Sequence, residues 1–301
     1  MNAAGNLDQK GKQNVPQKFA DLVDASWLRT ALGTPDLVVL DASWYMPAEA
    51  RNPDAEFLTG HIDGAQRFDF DHDIADTTSP LPHMLPTPAI FQQKVRALGV
   101  GQNSRVVIYD TAGIFAAPRA WWMFKVMGHE AVAVLNGGLP AWRAVGGALA
   151  TGPAGLAVAG DFIAQLNPRR LADSAQVLAG LAQTTIIDAR SAARFSGQQP
   201  EPRQGLRSGH MPHALNLPFS EILRDGQFRP PAEIAAVFQK TGVTGSKPII
   251  ASCGSGVTAS ILALGAEIAG LGPIAVYDGS WSEWGQENRP DLPVVTSPLP
   301  A

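Results

Sequence analysis

Short apolar runs bounded by turn residues recur along this chain, separated by longer stretches with helical spacing. Leu37-Val38-Val39-Leu40, Val106-Val107-Ile108, Ile186-Ile187 and Ile249-Ile250-Ala251 read as buried strands. Residues 88–98, 117–127, 232–240 and 258–269 carry the helical pattern. This alternation predicts an α/β fold, each unit a mainly parallel sheet flanked by helices. Ligands in open α/β sheets bind beyond the carboxyl ends of the strands. Asp110 and Cys253 each follow directly on such a run.

The pattern occurs twice. Leu37-Val38-Val39-Leu40-Asp41-Ala42-Ser43 resembles Thr185-Ile186-Ile187-Asp188-Ala189-Arg190-Ser191, and Gly60-His61-Ile62-Asp63-Gly64-Ala65 resembles Gly209-His210-Met211-Pro212-His213-Ala214. Arg105-Val106-Val107-Ile108-Tyr109-Asp110 matches Lys247-Pro248-Ile249-Ile250-Ala251-Ser252-Cys253. The turn Asn136-Gly137-Gly138-Leu139 matches Asp278-Gly279-Ser280-Trp281. Four landmarks in one order indicate a tandem duplication. The boundaries expected are a disordered arm over 1–18, a first domain over 19–150, a linker over 151–172 and a second domain over 173–301. The linker is indicated by the Gly, Ala and Pro content of 148–161.

Composition adds exclusions. With 301 residues and 45% hydrophobic content, each half can bury a core of its own. The net charge of −4 and the absence of basic tracts argue against nucleic acid as a partner. No run reaches the roughly 18 apolar residues that a membrane helix needs. The polar segment 1–18 has no apolar core of a signal peptide. A single cysteine cannot form an internal disulfide, which fits a reducing compartment, so the cytoplasm is the expected location. Scattered histidines give no metal-ligand spacing, and no glycine fingerprint of a nucleotide or other cofactor is present. We expect no metal, no cofactor and a monomer.

The one cysteine opens the run Cys253-Gly254-Ser255-Gly256-Val257-Thr258, where a strand gives way to a helix. A thiol there meets loop N–H groups and a helix N-terminus, which favour the thiolate and hence nucleophilic chemistry. The alternative is a buried cysteine serving as a small hydrophobe. The flanking glycines suit a loop whose backbone approaches something closely. A cysteine phosphatase would need an Arg to grip phosphate from the end of this loop, and none follows.

These landmarks resemble the two-domain rhodanese-type sulfurtransferases, in which only the second repeat keeps the cysteine. Asp110 stands where the first would be. The resemblance implies tandem rhodanese-like domains and transfer of sulfur through a Cys253 persulfide. Thiosulfate-using members carry cationic side chains after the cysteine, as suits a dianionic donor. The uncharged Gly254-Ser255 is similar instead to the 3-mercaptopyruvate sulfurtransferases. That implies a Ser255–His83–Asp71 arrangement, with Asp69, Asp73 and His72 as competing assignments. It further implies Arg194 and Arg203 as substrate binders, helped by the backbone of Gly254, Gly256, Val257 and Thr258. The acceptor implied is cyanide or a thiol, thioredoxin among them. A thiosulfate sulfurtransferase and a non-catalytic persulfide carrier are the alternatives. Arg190, His61, His210, His129 and the pair Trp121-Trp122 read as structural, although a Trp could line the inter-domain cleft.

Overall fold

The computed structural model describes residues 19–296, so the expected arm at 1–18 lies outside them. Two five-stranded, all-parallel sheets form the frame. The first runs in the order Leu22–Val23, Val132–Leu135, Arg105–Tyr109, Leu37–Asp41, Gln66–Arg67. The second has the corresponding order Leu171–Ala172, Ala275–Tyr277, Ile249–Ser252, Thr185–Asp188, Leu215–Asn216. Their central strands are covered on both faces, which is why Val106–Tyr109 and Ile249–Ser252 are apolar or small without alternation.

The expected helices form with ends displaced by one residue: Pro88–Ala97, Ala117–Val126, Pro231–Lys240 and Val257–Ile268. Thr87 caps the first, its Oγ1 accepting from Ile90 N, and Pro88 occupies the first turn where no N–H partner is needed. Gly256 caps the last at φ 78°, so Val257 joins the first helical turn, one residue ahead of the expected start. All of Ala117–Val126 is buried, including Arg119 and Lys125, because this helix lies between its own sheet and the helix Val257–Ile268 of the other repeat. A single apolar cluster therefore runs through both repeats, from Val106 and Trp122 to Leu262 and Val276. Each buried Leu or Ile there contributes about 1.5–3 kcal/mol.

The connector is stitched to the first repeat. Leu149–Ala150 pairs antiparallel with His61–Ile62. Further on, Gly160, Gln165 and Asn167 donate backbone bonds to Arg96, Met127 and Val126, and Phe162 is fully buried. The second repeat opens on the strand Leu171–Ala172, inside the expected linker, and Asp173 caps the next helix in a capping box with Gln176.

Candidate active site

Cys253 sits one residue beyond the strand Ile249–Ser252 and is 2% exposed. Ser280 Oγ accepts from the N–H of Cys253 at 3.2 Å and of Gly256 at 3.1 Å, and so holds the two ends of the loop together. Ser282 N donates to Gly254 O and Trp281 N to Cys253 O. Gly256 has no room for a side chain, since a Cβ would lie 2.7 Å from Arg119 Nη1. Among the described residues no acceptor outside the helix meets the N–H groups of Ser255, Thr258 and Ala259, and Ser260 follows as the fourth residue of the helix. Unpaired N–H groups at a loop-to-helix junction form a nest for negative charge.

The first repeat shows what such a nest takes. Asp110, the counterpart of Cys253, turns its carboxylate back into its own loop. Oδ1 accepts from Ala112 N at 2.9 Å, and Oδ2 from Phe115, Ala116 and Ala117 N at 2.8–2.9 Å. By the repeat alignment these four N–H groups correspond to those of Ser255, Thr258, Ala259 and Ser260. The first loop is closed by its own anion; the second is open.

A cavity of about 50 Å³ lies over the open loop, lined by Cys253, Gly254, Ser255, Val257, Thr258, Arg194, Arg203, Trp44, Met46 and Phe115. Gly256 does not line this cavity; its N–H goes to Ser280 Oγ, and a Cβ there would face Arg119 and Asp278. Trp44, Met46 and Phe115 come from the first repeat and were missed in the sequence. The signal available was that Trp44 and Phe115 lie just past strand ends of the first sheet, where ligands gather. The Trp of the cleft is thus Trp44, whereas Trp121 and Trp122 are core residues with 0% exposure.

The two arginines differ. Arg194, in the short helix Ala192–Ser196, gives Nε and Nη2 to the buried Glu201, which also takes Nη1 of Arg190 at 2.8 Å. Arg190 is bound further to Asp188 and stacks on Trp281. Glu201, not singled out in the sequence, thereby aims Arg194. Arg203 has no hydrogen-bond or ion-pair partner among the described residues. Burial pushes its guanidinium below the ordinary value, against the attraction of Cys253. Both guanidinium groups reach within 4 Å of where a side chain on Gly254 would stand.

His83 and Asp71 come together, His83 Nδ1 lying 2.6 Å from Asp71 Oδ1. The Trp44 indole N–H donates to Asp71 Oδ2 at 2.9 Å, and its ring meets the His83 ring edge-on at 4.8 Å. The competitors are engaged elsewhere. Asp69 accepts from the N–H of Asp71 and His72, Asp73 pairs with Lys94, and His72 is exposed. Burial drives the His83 imidazole below its ordinary value, outweighing the support of Asp71, so it is neutral at neutral pH. Burial acts to raise the Asp71 carboxyl, but the bonds from His83 and Trp44 leave it lowered. Nε2 of His83 is buried without a partner, and Ser255 makes no hydrogen bond to it. The three-residue chain implied for Ser255 is therefore not closed by hydrogen bonds in this structure.

His61 and His210 repeat one structural device, each ring stacked on the preceding helix's Phe and bonded to its carbonyl at 2.8 Å. His129 contacts Ser104 O from the end of its helix.

A rhodanese-like domain family model matches residues 24–145 and again 172–287. The chain is 44% identical over 275 residues to the 3-mercaptopyruvate sulfurtransferase of Escherichia coli, covering 90% of this chain and 96% of that one. It is 42% identical over 286 residues to the thiosulfate sulfurtransferase of Mus musculus, covering 92% and 95% respectively. Its structure is similar to the crystal structure of SseA from Escherichia coli, described as having the rhodanese fold of 3-mercaptopyruvate sulfotransferases. That likeness has a TM-score of 0.79 at 41% identity over 87% of this chain and 99% of the other.

Proposed function

Since the chain belongs to the two-domain rhodanese family of sulfurtransferases, we propose that it moves the sulfur of 3-mercaptopyruvate to a thiophilic acceptor through a persulfide on Cys253. The Cys253 thiolate attacks the thiol sulfur of the donor, forming the S–S bond. The C–S bond breaks, its electron pair leaving as the enolate of pyruvate. Arg203 holds the donor carboxylate and Arg194 the ketone oxygen, where charge develops as that bond breaks. Neutral His83, oriented by Asp71, takes the donor thiol proton and returns it to the enolate carbon, directly or through Ser255. The outer sulfur lies in the nest of Ser255, Thr258 and Ala259 N–H groups. An acceptor thiolate, that of reduced thioredoxin among them, then attacks this sulfur, and Cys253 leaves as the thiolate. A cytoplasmic setting suits the buried, unpaired cysteine.

The observation that carries the choice of donor is the uncharged Gly254-Ser255 beside the unpartnered Arg203. One guanidinium suits a monocarboxylate, whereas a dianion calls for more positive charge at the loop. The test compares donors: kcat/KM for 3-mercaptopyruvate should exceed that for thiosulfate, and the reverse order would overturn the reading. Mass spectrometry after donor addition should find one extra sulfur on Cys253.

A further inference from the structure

The pseudo-twofold relation between the repeats is broken at one buried place. On the side away from Cys253, the turn after the sheet presents Asn136, whose Oδ1 accepts from Phe228 N of the other repeat at 2.9 Å. Its counterpart on the active side is Asp278, whose Oδ2 accepts from Leu85 N at 2.7 Å. Phe228 and Leu85 occupy equivalent places before the helices Pro231–Lys240 and Pro88–Ala97. One cross-repeat hydrogen bond is thus made twice, and a neutral amide suffices for it. Only on the active side is the acceptor charged.

The partner of that charge is Arg119, on the helix Ala117–Val126, with 0% exposure. Its Nη1 donates to Asp278 Oδ1 at 2.6 Å, and its Nη2 donates to the carbonyl of His83. The equivalent position in the second repeat is Leu262, buried and apolar. His83 itself holds a left-handed backbone at φ 61°, where the equivalent residue is Gly226 at φ 74°. A side chain in that conformation is strained and persists only where its surroundings hold it. Here they do: Arg119 grips the His83 carbonyl, and Asp278 grips the N–H of Leu85 two residues on. At its other end the same Asp278 turn leads to Ser280, which fastens Cys253 and Gly256. The Arg119 guanidinium also fills the space beside Gly256.

We propose that the Arg119–Asp278 pair is a positioning clamp, through which the repeat lacking a cysteine fixes the His83 ring in register with the Cys253 loop. The inference rests on the proton-handling role given above to His83. An ion pair buried this deeply is weak evidence for stability. The neutral pair on the far side holds the repeats together without one. What the charged fork adds is a joint hold on two backbone turns that carry reacting groups.

The test is a double-mutant cycle on the full-length protein, assayed well below each variant's unfolding temperature. Arg119→Lys keeps the charge and loses the fork. It should lower kcat with 3-mercaptopyruvate about tenfold or more while leaving KM nearly unchanged, because Arg203 is untouched. In a His83→Ala background the same change should alter kcat by less than about twofold. Asp278→Asn is carried through the same cycle, in case Arg119→Lys does not fold. A full multiplicative loss on top of His83→Ala overturns the clamp alone, as does an Arg119→Lys enzyme with normal kcat. A His83→Ala enzyme of normal kcat overturns the role of His83 and the clamp with it.

Discussion

Asp71 and His83 meet through Oδ1 and Nδ1 at 2.6 Å, and the imidazole's Nε2 is buried with no partner in the structure. A ring held this way is fixed in one tautomer, with Nε2 as the nitrogen left to move a proton. Burial lowers the His83 value below the ordinary 6.5, so the neutral base is the resident form at pH 7. Activity should therefore fall on the acid side as His83 protonates, with the midpoint of that limb below 6.5. Asp71→Asn should reduce kcat by roughly 100-fold, within the range for misplacing a general base. A pH profile of kcat/KM checks both, and an acid limb centred above 7 would remove His83 as the base.

Arg203 and Arg194 should respond differently to substitution, because only Arg194 has a carboxylate partner. Arg203→Ala is expected to cut kcat/KM by about 100-fold, as loss of a charge-assisted bidentate contact does, while barely moving the unfolding temperature. Glu201→Gln leaves Arg190 and Arg194 short of a partner for a deeply buried charge, and should lower stability by about 3 kcal/mol. Thermal unfolding beside steady-state kinetics separates the two effects. Equal loss of stability in both variants would contradict the division.

Asp110 satisfies four N–H groups of its loop. Asp110→Ala strands them in a buried setting and should cost on the order of 3 kcal/mol. Denaturant titration reads this directly. The folded fraction should retain near-normal turnover, since Asp110 does not line the cavity.

Stability should also depend on pH above the carboxylate range. His83, His129 and His210 are all lowered by burial from the ordinary 6.5. The unfolded chain therefore binds protons first as pH falls, and the folded state loses stability from about 6.5 down to the depressed folded values. Above 7 these histidines contribute no pH dependence. Unfolding temperatures at pH 7.5 and 5.5 should differ, with the lower at 5.5; identical values would show that the rings protonate without penalty.

The duplication, the parallel α/β plan and the placing of Cys253 at a strand's carboxyl end were legible in the chain, because they rest on local apolar periodicity and on residues adjacent in sequence. Helix ends moved by a residue where a cap decided them, as Gly256 did for Val257. Arg194 and Arg203 were found through the motif around them, but Glu201, which tells them apart, became visible only through its contacts.

What the chain by itself determined was the set of chemical groups: one thiol, an uncharged loop after it, and two arginines within a short segment. What only the tertiary structure decided was how the first repeat serves the second. Trp44, Met46 and Phe115 wall a cavity whose thiol lies in the other half of the chain. Arg119 and Asp278 meet across the repeat boundary, 159 positions apart. Periodicity reports which face of an element is buried, but not which element of another repeat it will be buried against. That choice follows from packing two helices and two sheets around one continuous core.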